Sequence, residues 1–238
     1  MHVVSLSPFV GRLRTLSDLS LLSDGALRDR IGDLRAKGKI AILDDDASDP
    51  IYGDLRRSGY NISLYREFGD LGMRGAYAIY ICDIRGVVSG SILEGAYAIQ
   101  EIRKSNPTAY IICRSAASAN DKRLIAGAKL SDKVISKSSA DLSDVVIALD
   151  EAILEMTSPV RYWKRLQRFL LGVEASSLEV ALLEHYWVLA SMHRDPKRFE
   201  VGFQKVCRSS GLDLAPIVVD SAKIALEVGA KLVLGLPK

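Results

Sequence analysis

Hydrophobic residues in the middle of the chain form five short runs, separated by stretches whose spacing suits helices. The runs are Ile40–Leu43, Ile62–Tyr65, Ala78–Cys82, Tyr110–Cys113 and Val134–Ser136. Strands that alternate with helices along a chain form a parallel sheet, and the helices then cover both faces of that sheet. The pattern therefore predicts an α/β domain over residues 39–156, with a five-stranded parallel, doubly wound sheet.

The connections between these runs differ in how well they fit a helix. Ser91–Lys104, Asn120–Lys129 and Leu142–Met156 have the clearest helical patterns. The second connection, Arg66–Ala76, contains three glycines, and glycine is among the weakest helix formers. We therefore expect three well-formed covering helices and a poorly helical second connection.

Both ends of the chain have helical patterns without strand alternation. Near the start, Leu27, Ile31 and Leu34 fall on one face of a predicted helix. After a break near Pro159, the pattern predicts four helices, over 160–171, 177–192, 196–209 and 216–233. The sequence thus predicts an N-terminal helical segment (1–38), the α/β domain (39–156) and a small all-α domain (159–238).

The composition is that of an ordinary soluble globular protein, with 48% hydrophobic and 26% charged residues. No apolar run approaches the roughly 20 residues that a membrane-spanning helix needs, and the N-terminus lacks the pattern of a signal peptide. The three cysteines, Cys82, Cys113 and Cys207, are too few and too scattered for a disulfide framework or a zinc site. Composition therefore predicts a cytoplasmic protein without a membrane span, in which Cys82 and Cys113 are buried structural thiols.

Polar residues follow four of the five predicted strands. They are Asp44, Asp45 and Asp46 after the first strand, Asp83 after the third, Ser115 after the fourth and Lys137 after the fifth. Taken singly, the aspartates also fit helix caps and the lysine a solvated side chain. Because the carboxyl ends of parallel strands meet at one edge of a sheet, we expect these side chains to form one cluster.

These residue types together have a definite chemistry. Carboxylates held close together repel one another, so they bind a hard divalent cation such as Mg²⁺ or raise their pKa values. An aspartate beside such a cation can attack a phosphoryl group as a nucleophile. The lysine ammonium and the serine hydroxyl can then neutralise and hydrogen-bond the phosphoryl oxygens. The strand ends therefore predict a phosphoryl-accepting site.

In order and position, these motifs resemble the receiver domain of bacterial two-component response regulators, over residues 39–155 or about half of the chain. The residues that carry the resemblance are the acidic pair Asp44-Asp45, the phosphoacceptor Asp83, the pair Ser115-Ala116, and Lys137. The resemblance implies a flavodoxin-like receiver fold in which a sensor histidine kinase or a phosphotransfer protein phosphorylates Asp83. It also implies a set of Mg²⁺ ligands: the side chains of Asp44, Asp45 and Asp83 and the backbone carbonyl of Arg85.

The resemblance further implies a response regulator that signals through its helical C-terminal region, with homodimerisation as one possible mode. It does not imply an independent metabolic enzyme. The sequence agrees, because it contains no glycine-rich phosphate loop, no nucleophile elbow and no metal-binding histidine pair.

The sequence also departs from the receiver pattern at three places. Gly86-Val87 stands where the family usually has Met-Pro, and Ser138 stands where a proline usually follows the lysine. Val134 occupies the position of the switch aromatic, three residues before the lysine. These departures leave a second hypothesis open, a pseudo-receiver that acts as a protein-interaction module without phosphorylation.

A basic stretch in the C-terminal region raises a third hypothesis. Arg161, Lys164, Arg165 and Arg168 are spaced as one face of a helix, opposite Tyr162, Leu166, Phe169 and Leu170. Such a face can bind nucleic acid or another anionic partner, which would make the chain a DNA-binding regulator. The alternative is a solvated face over a buried stripe, and no helix-turn-helix pattern accompanies the basic residues.

Overall fold

The computed structural model describes residues 14–19, 24–70, 77–193 and 195–210, together with the single residues 222 and 226. The chain divides into two compact units. The α/β unit comprises residues 28–156, and the helical unit combines the described residues up to 27 with those from 157 onwards. The helix predicted over 216–233 falls almost wholly outside the described residues.

All five predicted strands are present, and they form one parallel sheet. They are β1 (Lys39–Leu43), β2 (Asn61–Tyr65), β3 (Ile79–Cys82), β4 (Tyr110–Ser115) and β5 (Lys133–Ser136). Their order in the sheet is β2-β1-β3-β4-β5, so the direction of winding reverses between β1 and β3. Ligands of such sheets bind beyond the carboxyl ends of the strands at this reversal. The predicted five-stranded, doubly wound parallel sheet is confirmed.

Six helices precede, connect or follow these strands. They are α1 (Asp24–Arg28), α2 (Ile31–Lys37), α3 (Pro50–Arg57), α4 (Gly95–Ser105), α5 (Lys122–Leu130) and α6 (Leu142–Thr157). The sequence patterns above do not single out α3, although Asp49-Pro50 is a helix-start signal. Asp49 accepts a hydrogen bond from the backbone N–H of Ile51 at 3.0 Å, and proline occupies the first helical position. The second connection forms a 3₁₀ turn at Phe68–Asp70.

The single helix expected before the first strand consists of two short helices, α1 and α2, with a turn at residues 29–30 between them. The helix breaks because Arg30 adopts a φ of −113° and a ψ of 19°, outside the helical region. Leu27 and Leu34 are fully buried, as their spacing predicts, but Ile31 is only half-buried. The three residues therefore do not form one stripe on a continuous helix.

One buried cluster of the α/β unit lies on the face of the sheet that packs against α4. Residues of β1, β3 and β4 alternate between the two faces, as strands require. On the α4 face the buried cluster includes Tyr80, Cys82, Ile111, Cys113, Ala98, Ile99 and Ile102. The thiols of Cys82 and Cys113 are fully buried, as predicted, and burial raises the pKa of Cys113 to about 12. Neither thiol is therefore a reactive thiolate at neutral pH.

The helical unit contains α7 (Pro159–Gly172), α8 (Ser177–His193) and α9 (Pro196–Ser210). An aromatic cluster joins them. Tyr162 of α7 stacks on Trp187 of α8 at a ring distance of 5.4 Å, and Phe199 of α9 meets the edge of Trp187 at 5.2 Å. The indole N–H of Trp187 donates to the backbone carbonyl of Pro159 at 2.9 Å. Trp187 is thus the centre of a packed core within the helical unit.

Residues 14–19 pack with α8 through their backbone. The N–H of Leu16 donates to the carboxylate of Glu184 at 3.0 Å, and the N–H of Arg14 donates to Nδ1 of His185 at 2.9 Å. Glu184 also accepts the indole N–H of Trp163 at 3.1 Å. One glutamate therefore joins the N-terminal residues, α7 and α8 within the helical unit.

The structure corrects one residue of the predicted basic face. Arg165 is buried, with 8% of its surface exposed, whereas Lys164 and Arg168 are exposed and Arg161 is half-buried. The reason is geometric: Trp163 is also buried, so the apolar stripe is wider than the sequence predicts and Arg165 lies at its margin. Four arginine and lysine side chains therefore do not form one solvated basic face on α7.

Among the described residues, no helix combines the length and the apolar composition that crossing a membrane requires.

Candidate functional site

The polar residues after the strands lie at one edge of the sheet. Asp44 follows β1, Asp83 follows β3 and Lys137 follows β5. The ammonium nitrogen of Lys137 lies 2.6 Å from Oδ2 of Asp44 and 2.6 Å from Oδ2 of Asp83. These contacts bring together residues that are up to 93 positions apart in the sequence, and they place the lysine between two carboxylates at the reversal point of the sheet.

Three carboxylates at this edge can hold a metal ion. Asp44, Asp45 and Asp83 each offer an oxygen, and these oxygens all lie within 4.8 Å of one another. Asp44 and Asp83 are buried, with 1% and 7% of their surfaces exposed, and Asp45 is exposed. An all-oxygen set of carboxylates is the donor type that Mg²⁺ prefers, so the residues present fit this cation. Arg85, the predicted carbonyl ligand, is exposed and lies two residues after Asp83.

The fourth carboxylate of the predicted cluster has another partner. Asp46 accepts hydrogen bonds from the backbone N–H of Ser48 at 3.1 Å and from the Ser48 hydroxyl at 2.5 Å. These hydrogen bonds lower the pKa of Asp46. Asp46 therefore closes the loop after β1.

Burial and charge act against each other on the two ionisable groups that meet at this edge. Burial raises the pKa of Asp83, and the hydrogen bond from Lys137 partly offsets that rise. Burial alone would lower the pKa of Lys137, but its hydrogen bonds to Asp44 and Asp83 raise it above its ordinary value. Lys137 is therefore a cation at neutral pH, and its hydrogen bond and charge favour the ionised form of Asp83 against the effect of burial.

Asp83 is held in a tight loop between β3 and α4. Its Oδ1 accepts the backbone N–H of Ile84 at 2.6 Å, and its own N–H donates to the carbonyl of Leu43 at 2.8 Å. Two glycines allow close approach here. A Cβ at Gly95 would overlap the carbonyl of Asp83, and Gly86, with a φ of 76°, has no room for a Cβ beside the Asp45 carboxylate. The positive φ and the close approach of Asp45 therefore explain why glycine occupies position 86, where the receiver family usually has the methionine of its Met-Pro pair.

Ser115 ends β4 with its side chain buried. Its hydroxyl oxygen accepts the backbone N–H of Ala117 at 3.1 Å, and its carbonyl accepts the backbone N–H of Lys137 at 2.9 Å. The second hydrogen bond fixes the position of the lysine relative to the serine. The structure thus places Ser115 and Lys137 next to each other at the ends of adjacent strands.

A second polar cluster, none of whose residues was predicted from the sequence, contacts the first. The hydroxyl of Tyr52 donates to Oδ2 of Asp44. Arg114, one residue before Ser115, donates from Nη1 to Asp49 at 2.7 Å and to the Tyr52 hydroxyl oxygen at 3.2 Å. Two signals were available: an arginine inside an apolar strand, and the Asp49-Pro50 helix start, which puts Tyr52 in the first turn of α3. Neither signal shows which aspartates the arginine and the tyrosine reach.

A chain of ion pairs flanks the site on the side of α4 and α5. Arg85 pairs with Asp121 at 3.0 Å, Asp121 pairs with Arg123 at 2.9 Å, and Arg123 pairs with Glu94 at 2.7 Å. Glu94 in turn accepts the backbone N–H of Gly86 at 3.0 Å. The loop that follows Asp83 is therefore connected at two points to the start of α5.

The remaining departures from the receiver pattern lie around this loop and β5. Val134 is exposed over 44% of its surface, and Val87 is fully buried in the core. Ser138 is exposed, and its hydroxyl hydrogen-bonds that of Ser136 at 2.9 Å. The four residues of β5 thus include no aromatic side chain.

Comparisons with known proteins found similarity only to solved structures. No family model matches the chain, and no curated protein matches it. Among solved structures, the chain is similar to a CheY-like response regulator receiver domain protein from Methanospirillum hungatei JF-1. The identity is 19% and the TM-score 0.43, and the likeness covers 50% of this chain and 94% of that chain.

Two further solved structures share this likeness. One is a response regulator protein from Burkholderia pseudomallei with a phosphorylated aspartic acid, at 17% identity and a TM-score of 0.40, covering 60% of this chain and 89% of that chain. The other is a response regulator from Thermotoga maritima, at 18% identity and a TM-score of 0.40, covering 49% of this chain and 97% of that chain.

The strand order of the α/β unit identifies its fold. A parallel sheet in the order 2-1-3-4-5, with its reversal between β1 and β3, is the flavodoxin-like arrangement that CheY also has. The polar cluster lies at this reversal, where the fold binds its ligands. The α/β unit therefore has the flavodoxin-like fold of response regulator receiver domains.

Proposed function

We propose that the α/β unit is a receiver that accepts a phosphoryl group on Asp83 in the presence of Mg²⁺. One observation carries this proposal: the Lys137 ammonium lies 2.6 Å from both Asp44 and Asp83, beside three carboxylate oxygens within 4.8 Å of one another. A structural ion pair needs one carboxylate for one lysine. Two buried carboxylates and a third at the surface leave excess negative charge, which a divalent cation neutralises.

The reaction follows from the groups around Asp83. A carboxylate oxygen of Asp83 donates an electron pair to the phosphorus of the donor, and the bond between phosphorus and the leaving group breaks with its electron pair. An acyl phosphate results. Lys137 then pairs with a phosphoryl oxygen, and the Ser115 hydroxyl donates to another. When bound by Asp44, Asp45, Asp83 and the Arg85 carbonyl, Mg²⁺ supplies positive charge to the phosphoryl oxygens.

The phosphoryl donor in this proposal is a sensor histidine kinase or a phosphotransfer protein, and the helical unit is the output region. Phosphorylation would shift the population between two conformations of the receiver, which changes its contacts with the output region or a partner. The ion pairs that connect Arg85 and Glu94 to Asp121 and Arg123 support this, because they join the loop after Asp83 to the start of α5.

A pseudo-receiver is the second candidate, and Val134 favours it. The outer face of β5 carries a half-exposed valine, so a hydroxyl-to-aromatic switch cannot operate there. In this alternative the unit binds a partner protein without accepting phosphate. A nucleic-acid output has less support, because burial of Arg165 removes one of the four basic residues on which it rests.

Intact mass spectrometry tests the first proposal. The full chain is incubated with Mg²⁺ and acetyl phosphate, alongside Asp83→Asn, Asp46→Asn as a matched control at the same edge, and a receiver of known activity. We expect a gain of one phosphoryl group in the wild type and in Asp46→Asn, and no gain in Asp83→Asn. No gain in the wild type, under conditions that modify the known receiver, would contradict the proposal and support the pseudo-receiver.

A further inference from the structure

Arg114 is a buried cation in the interior of the α/β unit. Every residue of β4 from Tyr110 to Ser115 is buried, and the Arg114 side chain is only 6% exposed. A buried guanidinium needs partners for its donors, because loss of hydration destabilises the unpaired charge. Its Nη1 reaches Asp49 and the Tyr52 hydroxyl, but its Nε has no hydrogen-bond partner among the described residues. The arginine is thus incompletely satisfied by its neighbours.

Tyr52 transmits the effect of this arginine to the acidic cluster. Its hydroxyl oxygen accepts from Arg114 at 3.2 Å, and its single hydroxyl proton is donated to Oδ2 of Asp44. A hydroxyl that accepts a hydrogen bond from a cation becomes a stronger donor, because the two hydrogen bonds polarise each other. The hydrogen bond from Tyr52 to Asp44 is therefore stronger than one from an isolated phenol.

Asp44 has few electron pairs left for a cation. Its Oδ1 accepts the backbone N–H of Asp46 at 3.0 Å, and its Oδ2 accepts from both Tyr52 and Lys137. A carboxylate offers about four acceptor positions. Since three are engaged, a divalent cation competes with these donors for the charge of Asp44.

We propose that Tyr52, polarised by Arg114, competes with the divalent cation for Asp44 and holds the cation affinity of the site low. This inference rests on the proposed function, because it requires the acidic cluster to bind a cation. Tyr52 is a positioning residue in this view, and α3 sets the affinity through it. Removal of the hydroxyl returns electron density to Asp44 and tightens cation binding.

A second tyrosine in the same unit provides a matched control. The hydroxyl of Tyr60 donates to Oδ1 of Asp150 at 2.6 Å, next to Arg35, which pairs with Asp150 at 2.6 Å. Tyr60→Phe therefore removes the same kind of hydrogen bond, from a tyrosine to an arginine-paired aspartate. Asp150 does not belong to the acidic cluster, so this variant leaves the cation ligands unchanged.

The test is Mg²⁺ binding to the full chain, measured by isothermal titration calorimetry without any phosphoryl donor. We expect Tyr52→Phe to bind Mg²⁺ about three- to tenfold more tightly than the wild type, which is the scale of one typical intramolecular hydrogen bond. Tyr60→Phe should match the wild type. Arg114→Lys keeps the charge and loses the planar guanidinium, so it should tighten binding by a smaller factor and serves if Tyr52→Phe does not fold.

A spectroscopic readout separates this role from a structural one. In protein labelled with 3-fluorotyrosine, the ¹⁹F resonance that is missing from Tyr52→Phe should shift when Mg²⁺ is added to the wild type, and the Tyr60 resonance should not. Equal or weaker Mg²⁺ binding by Tyr52→Phe and Arg114→Lys, with measurable binding by the wild type, would overturn this inference alone. Absence of Mg²⁺ binding by every variant would overturn the proposed cation site as well.

Discussion

The α/β unit contains two clusters of the same three residue types, and they are built differently. In the first, Arg35 holds both oxygens of Asp150 at 2.8 and 2.6 Å, and its guanidinium lies 4.8 Å from the centre of the Tyr60 ring. The Tyr60 hydroxyl donates to the same aspartate. This cluster fixes α2 and the turn between α3 and β2 to α6, with one aspartate serving both partners.

In the second cluster, the tyrosine and the arginine bind different aspartates. Arg114 pairs with Asp49, which also caps α3, while Tyr52 donates to Asp44 of the acidic cluster. The first cluster has a bidentate ion pair and lies at the amino end of β2, which Tyr60 immediately precedes. In the second cluster, the arginine pairs with Asp49, which caps a helix, and the tyrosine binds Asp44, which belongs to the proposed site. Residue types alone therefore do not distinguish a contact that only stabilises the fold from one that affects the acidic cluster. The aspartate that the tyrosine and the arginine reach makes the distinction.

The largest effect on stability should come from breaking the first cluster. Arg35→Met leaves a mostly buried Asp150 without its bidentate partner, and we expect it to lower the free energy of unfolding by about 2 kcal/mol, reduced by partial solvent exposure of the pair. Arg114→Met should lower it by about 1 kcal/mol, because one donor of Arg114 is already unpaired. Urea unfolding followed by far-UV circular dichroism measures both. An equal or larger loss in Arg114→Met would break the comparison.

A smaller effect of opposite sign is expected at the acidic cluster. Burial raises the pKa of Asp83, so the folded state binds a proton more readily than the unfolded chain. Its ionised form thus opposes folding, and Asp83→Asn should raise the free energy of unfolding at pH 7 by about 1 kcal/mol, while Lys137 keeps Asp44 as its partner.

The pH dependence checks this assignment. The contribution of protonated Asp83 is fully present below the unfolded pKa of about 3.9 and is lost as the pH rises through the higher folded pKa. The stability gain of Asp83→Asn should therefore shrink as the pH approaches 4. Asp45→Asn, at an exposed position, should change stability by less than about 0.5 kcal/mol. A loss of stability in Asp83→Asn at pH 7 would show that the ion pair with Lys137 outweighs burial.

The smallest effect belongs to a buried polar contact in the helical unit. Burial, aided by the charge of Arg14, lowers the pKa of His185, whose Nδ1 accepts the Arg14 N–H. Its contribution to stability is present above about pH 6.5 and is lost as the pH falls through the lower folded pKa. His185→Asn keeps an acceptor that does not titrate, so it should reduce the loss of stability between pH 7 and pH 5 by about 0.5 kcal/mol. An unchanged pH profile in thermal unfolding would assign that loss to other groups.

Hydrophobic periodicity predicts the sheet well, because the three central strands, β1, β3 and β4, are buried on both faces and therefore appear in the sequence as short apolar runs. The strand-end rule likewise predicts that Asp44, Asp83 and Lys137 lie at one edge, since parallel strands leave no other arrangement. The contact of Tyr52 with Arg114 joins residues 62 positions apart and depends on side-chain reach, which no local pattern contains. Burial of Arg165 depends on the packing of its neighbours, and the polar contacts of residues 14–19 with α8 carry no sequence signal.

Locating the phosphoryl group on the chain distinguishes Asp83 from the other aspartates at the strand ends. After reaction with acetyl phosphate and Mg²⁺, borohydride reduces an aspartyl phosphate to homoserine, and trypsin then releases the peptide of residues 75–85, in which Asp83 is the only carboxylate side chain. Tandem mass spectrometry should find homoserine at position 83 in the wild type. It should find none in the peptide of residues 40–56, which contains Asp44, Asp45 and Asp46. Homoserine in the second peptide, or an unmodified Asp83 in protein that has gained a phosphoryl group, would contradict the account.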